Sequence, residues 1–284
     1  MATLITTTVA ETRQAIAAAR NRGLTVALVP TMGALHAGHA SLIRAARAEA
    51  GFVVVSIFVN PTQFGPKEDL SRYPRPFEND VQLCETDGVD LIFHPTPEAM
   101  YPAAFQTYVE VTQLQTVLCG ASRPGHFRGV ATVVLKLFNI VKPDAAYFGQ
   151  KDAQQARLLI QMVRDLDVPV ELKVCPIVRE PDGLAMSSRN VYLDATQRQN
   201  ATVLFRALQL LRSRIEAGER AAGPLIDEAR RLIEATPGAR IDYISFVDFD
   251  RLQPIDPLRG HVLIAVAVFF GATRLIDNIL VEIA

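Results

Sequence analysis

The chain has 284 residues, a formal net charge of -1, 49% hydrophobic residues and 21% charged residues. That balance excludes disordered, collagen-like and coiled-coil chains. Near-neutral charge removes any general attraction to nucleic acid or an anionic membrane and leaves room only for a local basic site that takes a small anion. At about 100–200 residues per domain, the length predicts two domains. The longest apolar run, residues 261–270, is about half of a membrane span and reads as a buried strand. No basic stretch followed by a long apolar core opens the sequence, so no signal peptide is expected. Cys84, Cys119 and Cys175 are odd in number, far apart and form no C-x-x-C. They predict buried, unpaired thiols in a reduced, cytoplasmic protein.

In chain order, strands are expected at 25–29, 52–59, 89–93, 108–111, 145–148 and 170–178, with helices near 10–20, 39–50, 76–87, 128–141 and 151–166. Several of these strands are continuously hydrophobic, which suits a parallel sheet covered on both faces. The alternation predicts an α/β fold: a Rossmann-like parallel sheet with helices on both faces. Beyond about residue 180 the pattern changes. Leu204, Leu208, Leu211 and Ile215 form one apolar helix stripe over 196–217, and a second helix has Gly223-Pro224 near its start. Strands follow near 241–248, 261–270 and 274–282, the last two joined by a hairpin at Gly271-Ala272-Thr273. The expected division is therefore 1–180, the Rossmann-like domain, and 181–284, a smaller α+β domain.

Ligands of open parallel sheets bind at the carboxyl ends of strands, so the site is expected among the polar residues there. The first cluster, Met32-Gly33-Ala34-Leu35-His36-Ala37-Gly38-His39, runs from a strand into a helix. Its glycines let the backbone approach a ligand, and the helix start offers free N–H groups to phosphate. His36 and His39 face one way and could donate to phosphate oxygens; a zinc site is the rival reading, although no third ligand is evident nearby. The second cluster, Asn60-Pro61-Thr62-Gln63, offers neutral donors and acceptors for a hydroxyl or carboxylate, or is simply a turn. Asp80 lies early in the next helix and could help hold hydrated Mg²⁺ or support that helix end. The third, Gly149-Gln150-Lys151-Asp152 with Gln155, opens a helix, placing Lys151 and Gln155 on one face. Lysine is a point charge suited to phosphate, and Asp152 caps the helix or meets a nucleotide hydroxyl. The fourth, Met186-Ser187-Ser188-Arg189, following Val178, combines two hydroxyls and a guanidinium in a phosphate clamp or forms a polar linker.

Taken jointly, PTMGALHAGH, FVNPTQFGPKEDL, RYPR, GHFRGVATVV, YFGQKDAQQ and AMSSRN resemble the pantoate–β-alanine ligase family over essentially the whole chain, most tightly over 28–192. The resemblance implies a cytoplasmic, homodimeric enzyme that condenses pantoate with β-alanine at the expense of ATP, through a pantoyl adenylate. It also implies Mg²⁺ with the ATP, and neither a nucleic-acid nor a membrane partner. Met32 to His39 would line the ATP site, His39 as proton donor and His36 beside the phosphates. Gly149, Gln150, Lys151, Asp152, Val178 and Met186 to Arg189 would complete it, with His36, His39, Lys151 and Arg189 catalytic. Gln63 and Gln155, with Asn60, would hold pantoate and β-alanine. Gln150 stands where relatives also carry an acid. The second domain would close over the adenylate, with Ser187 to Arg189 becoming ordered on ATP. The competing reading is an adenylyltransferase that acts on a phosphate ester.

Overall fold

The computed structural model describes residues 3–66 and 68–283; Lys67, in the polar loop after the second cluster, lies outside them. Chain order gives β1 (Leu4–Thr6), α1 (Val9–Asn21), β2 (Val26–Thr31), α2 (Ala37–Glu49), β3 (Phe52–Ile57), α3 (Phe77–Thr86) and β4 (Leu91–Phe93). Then come two short helices, α4 (Pro97–Met100) and α5 (Cys119–Ser122), followed by α6 (His126–Val141), β5 (Ala145–Gly149), α7 (Ala153–Asp165) and β6 (Glu171–Cys175). The six strands lie in the order β1-β4-β3-β2-β5-β6, each neighbouring pair parallel. The continuous apolar runs are explained by their burial on both faces. Val26 and Leu28 join a core with Ile16, Phe138 and Leu158, while Ala27 and Val29 join another with Ile43 and Cys84.

The remaining elements are α8 (Ala195–Asn200), α9 (Val203–Glu216), α10 (Ala222–Glu234) and the antiparallel sheet β7 (Ala239–Asp248), β8 (Gly260–Phe270) and β9 (Thr273–Ile283). The predicted stripe Leu204, Leu208, Leu211 and Ile215 is buried against Val262, Ile264, Val266 and Val268 of β8. The alternate residues Leu263 and Ala265 belong to the first core instead. The small sheet is thus clamped between its own helices and the parallel-sheet layer, and this places β9 beside the turn that follows β5.

Four expectations at this level need correction. β1 was not anticipated, because three residues carry no readable period. Residues 108–111 form no strand: Val109 N donates to Thr132 Oγ1 on α6 rather than to a sheet neighbour. The helix expected over 196–217 breaks between Asn200 and Val203, where the Thr202 hydroxyl bonds back to Gln199 O. All three cysteines are free, but Cys175 is only half-buried. Among the described residues no helix is long and apolar enough to cross a membrane.

Candidate active site

Strand order reverses between β2 and β5, which makes their carboxyl ends the topological switch point, where α/β sheets bind ligands. The loop after β2, the 3₁₀ turn Pro61–Gln63 after β3, the 3₁₀ turn Gln150–Asp152 after β5 and the 3₁₀ turn Ser188–Tyr192 converge there. They surround a cavity of about 220 Å³ that shares Arg123, His126, Lys151, Asp152, Gln155 and Arg189 with a larger one of about 610 Å³ running between the two sheets. The smaller cavity collects Met32, His36, Gly38, His39, Asn60, Gln63, Gly149, Lys151, Asp152, Gln155, Val178, Met186, Ser187, Ser188 and Arg189. Among the expected residues, Gly33, Ala34, Leu35, Ala37, Gln150 and Asp80 are not part of its lining.

The histidine turn is locked by its own hydrogen bonds. His36 caps α2, its Nδ1 accepting from Gly38 N at 3.1 Å, and His39 Nδ1 accepts from His36 N at 3.3 Å. A backbone N–H can only donate, so both Nδ1 atoms are unprotonated and each neutral ring carries its hydrogen on Nε2. Burial pushes the His36 pKa down to about 4, helped by the Lys151 charge. Burial likewise takes His39 to about 3, with His36 and Lys151 adding to it. At neutral pH these are two uncharged N–H donors at a helix N-terminus, where unpaired backbone N–H groups also point outward. The zinc reading fails on the same geometry, and no cluster of metal-binding side chains exists among the described residues. A side chain at Gly38 would place its Cβ 2.8 Å from the His36 ring, so only glycine fits beneath the imidazole.

Asp80 has a different task from the expected one. Its Oδ2 accepts from Ala34 N at 2.9 Å and its Oδ1 from Leu35 N at 2.7 Å, and the residue is 1% exposed. Both oxygens are spent on fixing the loop that carries the histidines, which leaves Asp80 badly placed as a ligand of Mg²⁺. Gly33, at φ +82°, passes directly over this carboxylate.

Asn60 also positions rather than offers. Its Nδ2 donates to Gln63 Oε1 at 3.0 Å and to Gly129 O at 3.1 Å, while its Oδ1 accepts from Tyr101 Oη at 2.8 Å. With Oε1 held, the Gln63 amide turns its Nε2 toward Met32 and the cavity. Asn60→Ala removes this orientation and leaves buried partners unsatisfied, so a loss of about 1–3 kcal/mol in stability is expected. Urea unfolding checks it; unchanged stability contradicts it.

Lys151 and Gln155 line both cavities, on one face of the turn and helix α7 as expected. Gln150 points the other way, to Asn278 on β9. Arg189 is held by Asp69 through two bonds of 2.9 and 3.0 Å, which raises the guanidinium pKa against its own desolvation and lowers that of Asp69. Ser188 Oγ donates to Ala34 O, and Ser187 Oγ accepts from Arg189 N. The fourth cluster is thereby fastened both to the loop bearing Asp69 and to the histidine loop.

Several residues that line the cavities were not anticipated from the sequence. Arg123 pairs with both Glu68 oxygens at 2.7 and 2.6 Å and donates to His126 Nε2, while His126 Nδ1 donates to Gln63 O. The GHFRG stretch was the available signal, but its partner acid stands far away in sequence. The next turns of α6 give the cavity an apolar wall of Val130, Val133, Val134 and Leu137, facing Phe58 and Phe148.

His126 is also held low, to about 4, first by burial and then by Arg123. All three histidines therefore have folded pKa values below the usual value of about 6.5. Above pH 6.5 both folded and unfolded chains leave them neutral and stability is full. As pH falls from 6.5 toward 4 the unfolded chain takes up protons that the folded one refuses, costing up to about 1.4 kcal/mol per pH unit for each histidine. Burial raises the Asp80 and Asp277 carboxyl pKa values, which opposes the trend. Urea unfolding is expected to give lower stability at pH 5 than at pH 7, with a shallower slope in His126→Asn; equal slopes contradict this.

Neutral imidazoles at a helix start, a free lysine and paired amides at a switch point define the class as a nucleotide-using α/β enzyme. The pantoate-beta-alanine ligase family model matches residues 4–280. A pantothenate synthetase of Moorella thermoacetica is 57% identical over 97% of this chain and 98% of its own length, and one of Thermotoga petrophila is 57% identical over 91% and 92%. The crystal structure of the Thermus thermophilus pantothenate synthetase superposes with a TM-score of 0.92 at 47% identity, over 97% of this chain and 98% of that one. A Francisella tularensis pantoate-beta-alanine ligase, crystallised with a β,γ-ATP compound and β-alanine, gives 0.79 at 35% identity and 98% coverage of each chain. The chain belongs to the pantoate–β-alanine ligase family and is an enzyme of pantothenate synthesis.

Proposed function

We propose that the chain joins pantoate to β-alanine in two half-reactions, releasing pyrophosphate with a pantoyl adenylate and then AMP with pantothenate. One observation carries this reading: the same cavity presents amide groups and an apolar wall alongside Lys151 and the neutral histidine donors. Pantoate is a hydroxy acid with a dimethyl-branched carbon. The α6 valines and Leu137 suit its methyl groups, and the Gln63 and Gln155 amides suit its hydroxyls and carboxylate.

A carboxylate of pKa near 4 is ionised at neutral pH, so attack on the α-phosphorus needs no base. It needs in-line placement and relief of the charge that grows as the bond to pyrophosphate breaks. Lys151 Nζ, the Nε2–H groups of His36 and His39 and the start of α2 provide that relief. His39 acts as a neutral hydrogen-bond donor, a role its low pKa favours over proton transfer. Arg189, Ser187 and Ser188 close the phosphate side. Asp152 is the only acidic residue lining the smaller cavity among the described residues. That donor set fits Mg²⁺ arriving as part of the ATP substrate, since such ions are held by phosphates with one or two carboxylates. Its charge would offset that of the triphosphate.

In the second step the β-alanine amine, once deprotonated, attacks the activated carbonyl and AMP departs with the bonding electrons of the C–O bond. Arg123, which lines both cavities, would meet the β-alanine carboxylate with the N–H groups that Glu68 and His126 leave free. The division near residue 180 into catalytic and lid parts, the homodimer and the cytoplasmic location belong to the same reading; the homodimer rests on family membership, the other two on the sequence pattern and the unpaired cysteines. Supplying ATP, Mg²⁺ and pantoate should release pyrophosphate, and later β-alanine should release AMP. Pyrophosphate release that depends on a phosphate ester instead of pantoate would favour an adenylyltransferase.

A further inference from the structure

Asn278 lies on β9, in the second sheet, and is 3% exposed. Its Nδ2 donates to Gln150 O at 3.0 Å and to Lys151 O at 2.9 Å, and its Oδ1 accepts from Gln150 Nε2 at 3.4 Å. Every polar atom of this buried amide is thus spent on the short turn that carries Lys151. The strand itself is pinned next door: Asp277 forms two bonds with Arg179, at 2.6 and 3.0 Å, and its Oδ1 accepts from Asn278 N. Arg179 precedes the Met186–Arg189 segment and also donates to Gly183 O within the intervening turn. Two adjacent residues of one strand therefore grip both the lysine turn and the base of the loop that covers the phosphates.

We infer that Asn278 is a positioning residue that fixes Lys151 Nζ on the transferring phosphate, so that the second domain is a working part of the adenylation site as well as its cover. The inference rests on the proposed role of Lys151. Backbone carbonyls fix where the lysine side chain starts, and displacement of a charged group by about 1 Å costs on the order of 100-fold in rate. An asparagine suits the task because its NH₂ donates to two carbonyls at once; an aspartate of the same shape offers only oxygens to them.

The test is pantoate-dependent pyrophosphate release by the full chain and by Asn278→Ala, Asn278→Ser and Asn278→Asp, with thermal unfolding of each. Asn278→Ala is expected to lose roughly 10- to 100-fold in kcat, with the KM for pantoate within about 2-fold of the parent, because Gln63 and Gln155 are untouched. Asn278→Ser, which keeps one donor, should fall between parent and alanine. Asn278→Asp, nearly isosteric, should lose at least as much as alanine. Unchanged kcat in a folded Asn278→Ala or Asn278→Asp, or serine no better than alanine, overturns the inference. Should the alanine form fail to fold, the same-shaped aspartate form decides. Failure of the parent itself to release pyrophosphate would instead overturn the adenylation reading.

Discussion

Lys151→Ala should lower pantoate-dependent pyrophosphate release by about 10²–10³-fold in kcat while the protein stays folded, the usual loss when one preorganised donor to a developing charge is removed. The reason lies in how the cations of this site are shared out. Arg123, Arg179 and Arg189 are each held by a carboxylate, Glu68, Asp277 and Asp69 in turn. Lys151 lines both cavities and, unlike Arg123 and Arg189, is in no ion pair among the described residues, so its charge is free to meet the substrate. Lys151→Arg keeps the charge but replaces a point by a broad planar fork, and partial recovery is expected. Activity of Lys151→Ala within a few-fold of the parent would remove it from the catalytic set.

A comparable loss is expected for His39→Ala, again about 10²–10³-fold, and for a different reason. The alanine form loses both the proposed Nε2–H donor to the phosphates and the Nδ1 that receives His36 N. Loss of such a capping contact costs about 1 kcal/mol of stability, whereas the rate loss corresponds to about 2.7–4 kcal/mol, so kinetics should suffer far more than folding. The neutral state of the ring can be checked directly. Nitrogen NMR of the histidines should find His39 and His36 uncharged down to about pH 5, in accord with pKa values held to about 3 and 4. Titration of His39 near 6.5 would restore a proton-donor role and contradict the hydrogen-bond role argued above.

The parallel sheet was legible because strands buried on both faces read as unbroken apolar runs, as at Val26 to Val29 and Val53 to Val55. The histidine, glutamine and lysine clusters were legible because they sit directly after such strands. Long-range pairing was not. Nothing near Asp80 in sequence shows that the N–H groups of Ala34 and Leu35 will consume its oxygens, so an acid early in a helix read as a possible metal ligand. Asn60 read as a ligand because its partners Gly129 and Tyr101 arrive from α6 and from beyond α4. Arg123 and Glu68 lie 55 residues apart, and Asn278 meets the lysine turn from 127 residues away. Local spacing names the groups that can do chemistry; tertiary contacts decide which are free to do it and which hold the others in place.

In the proposed reaction the pantoate carboxylate itself attacks the α-phosphorus. Pantoate carrying ¹⁸O in its carboxylate, turned over with ATP, Mg²⁺ and β-alanine, tests it most directly. The label is predicted in the phosphate of AMP, one oxygen per turnover, as the adenylate is cleaved. Label in free inorganic phosphate, accompanied by ADP, would show activation through the γ-phosphorus and contradict the account.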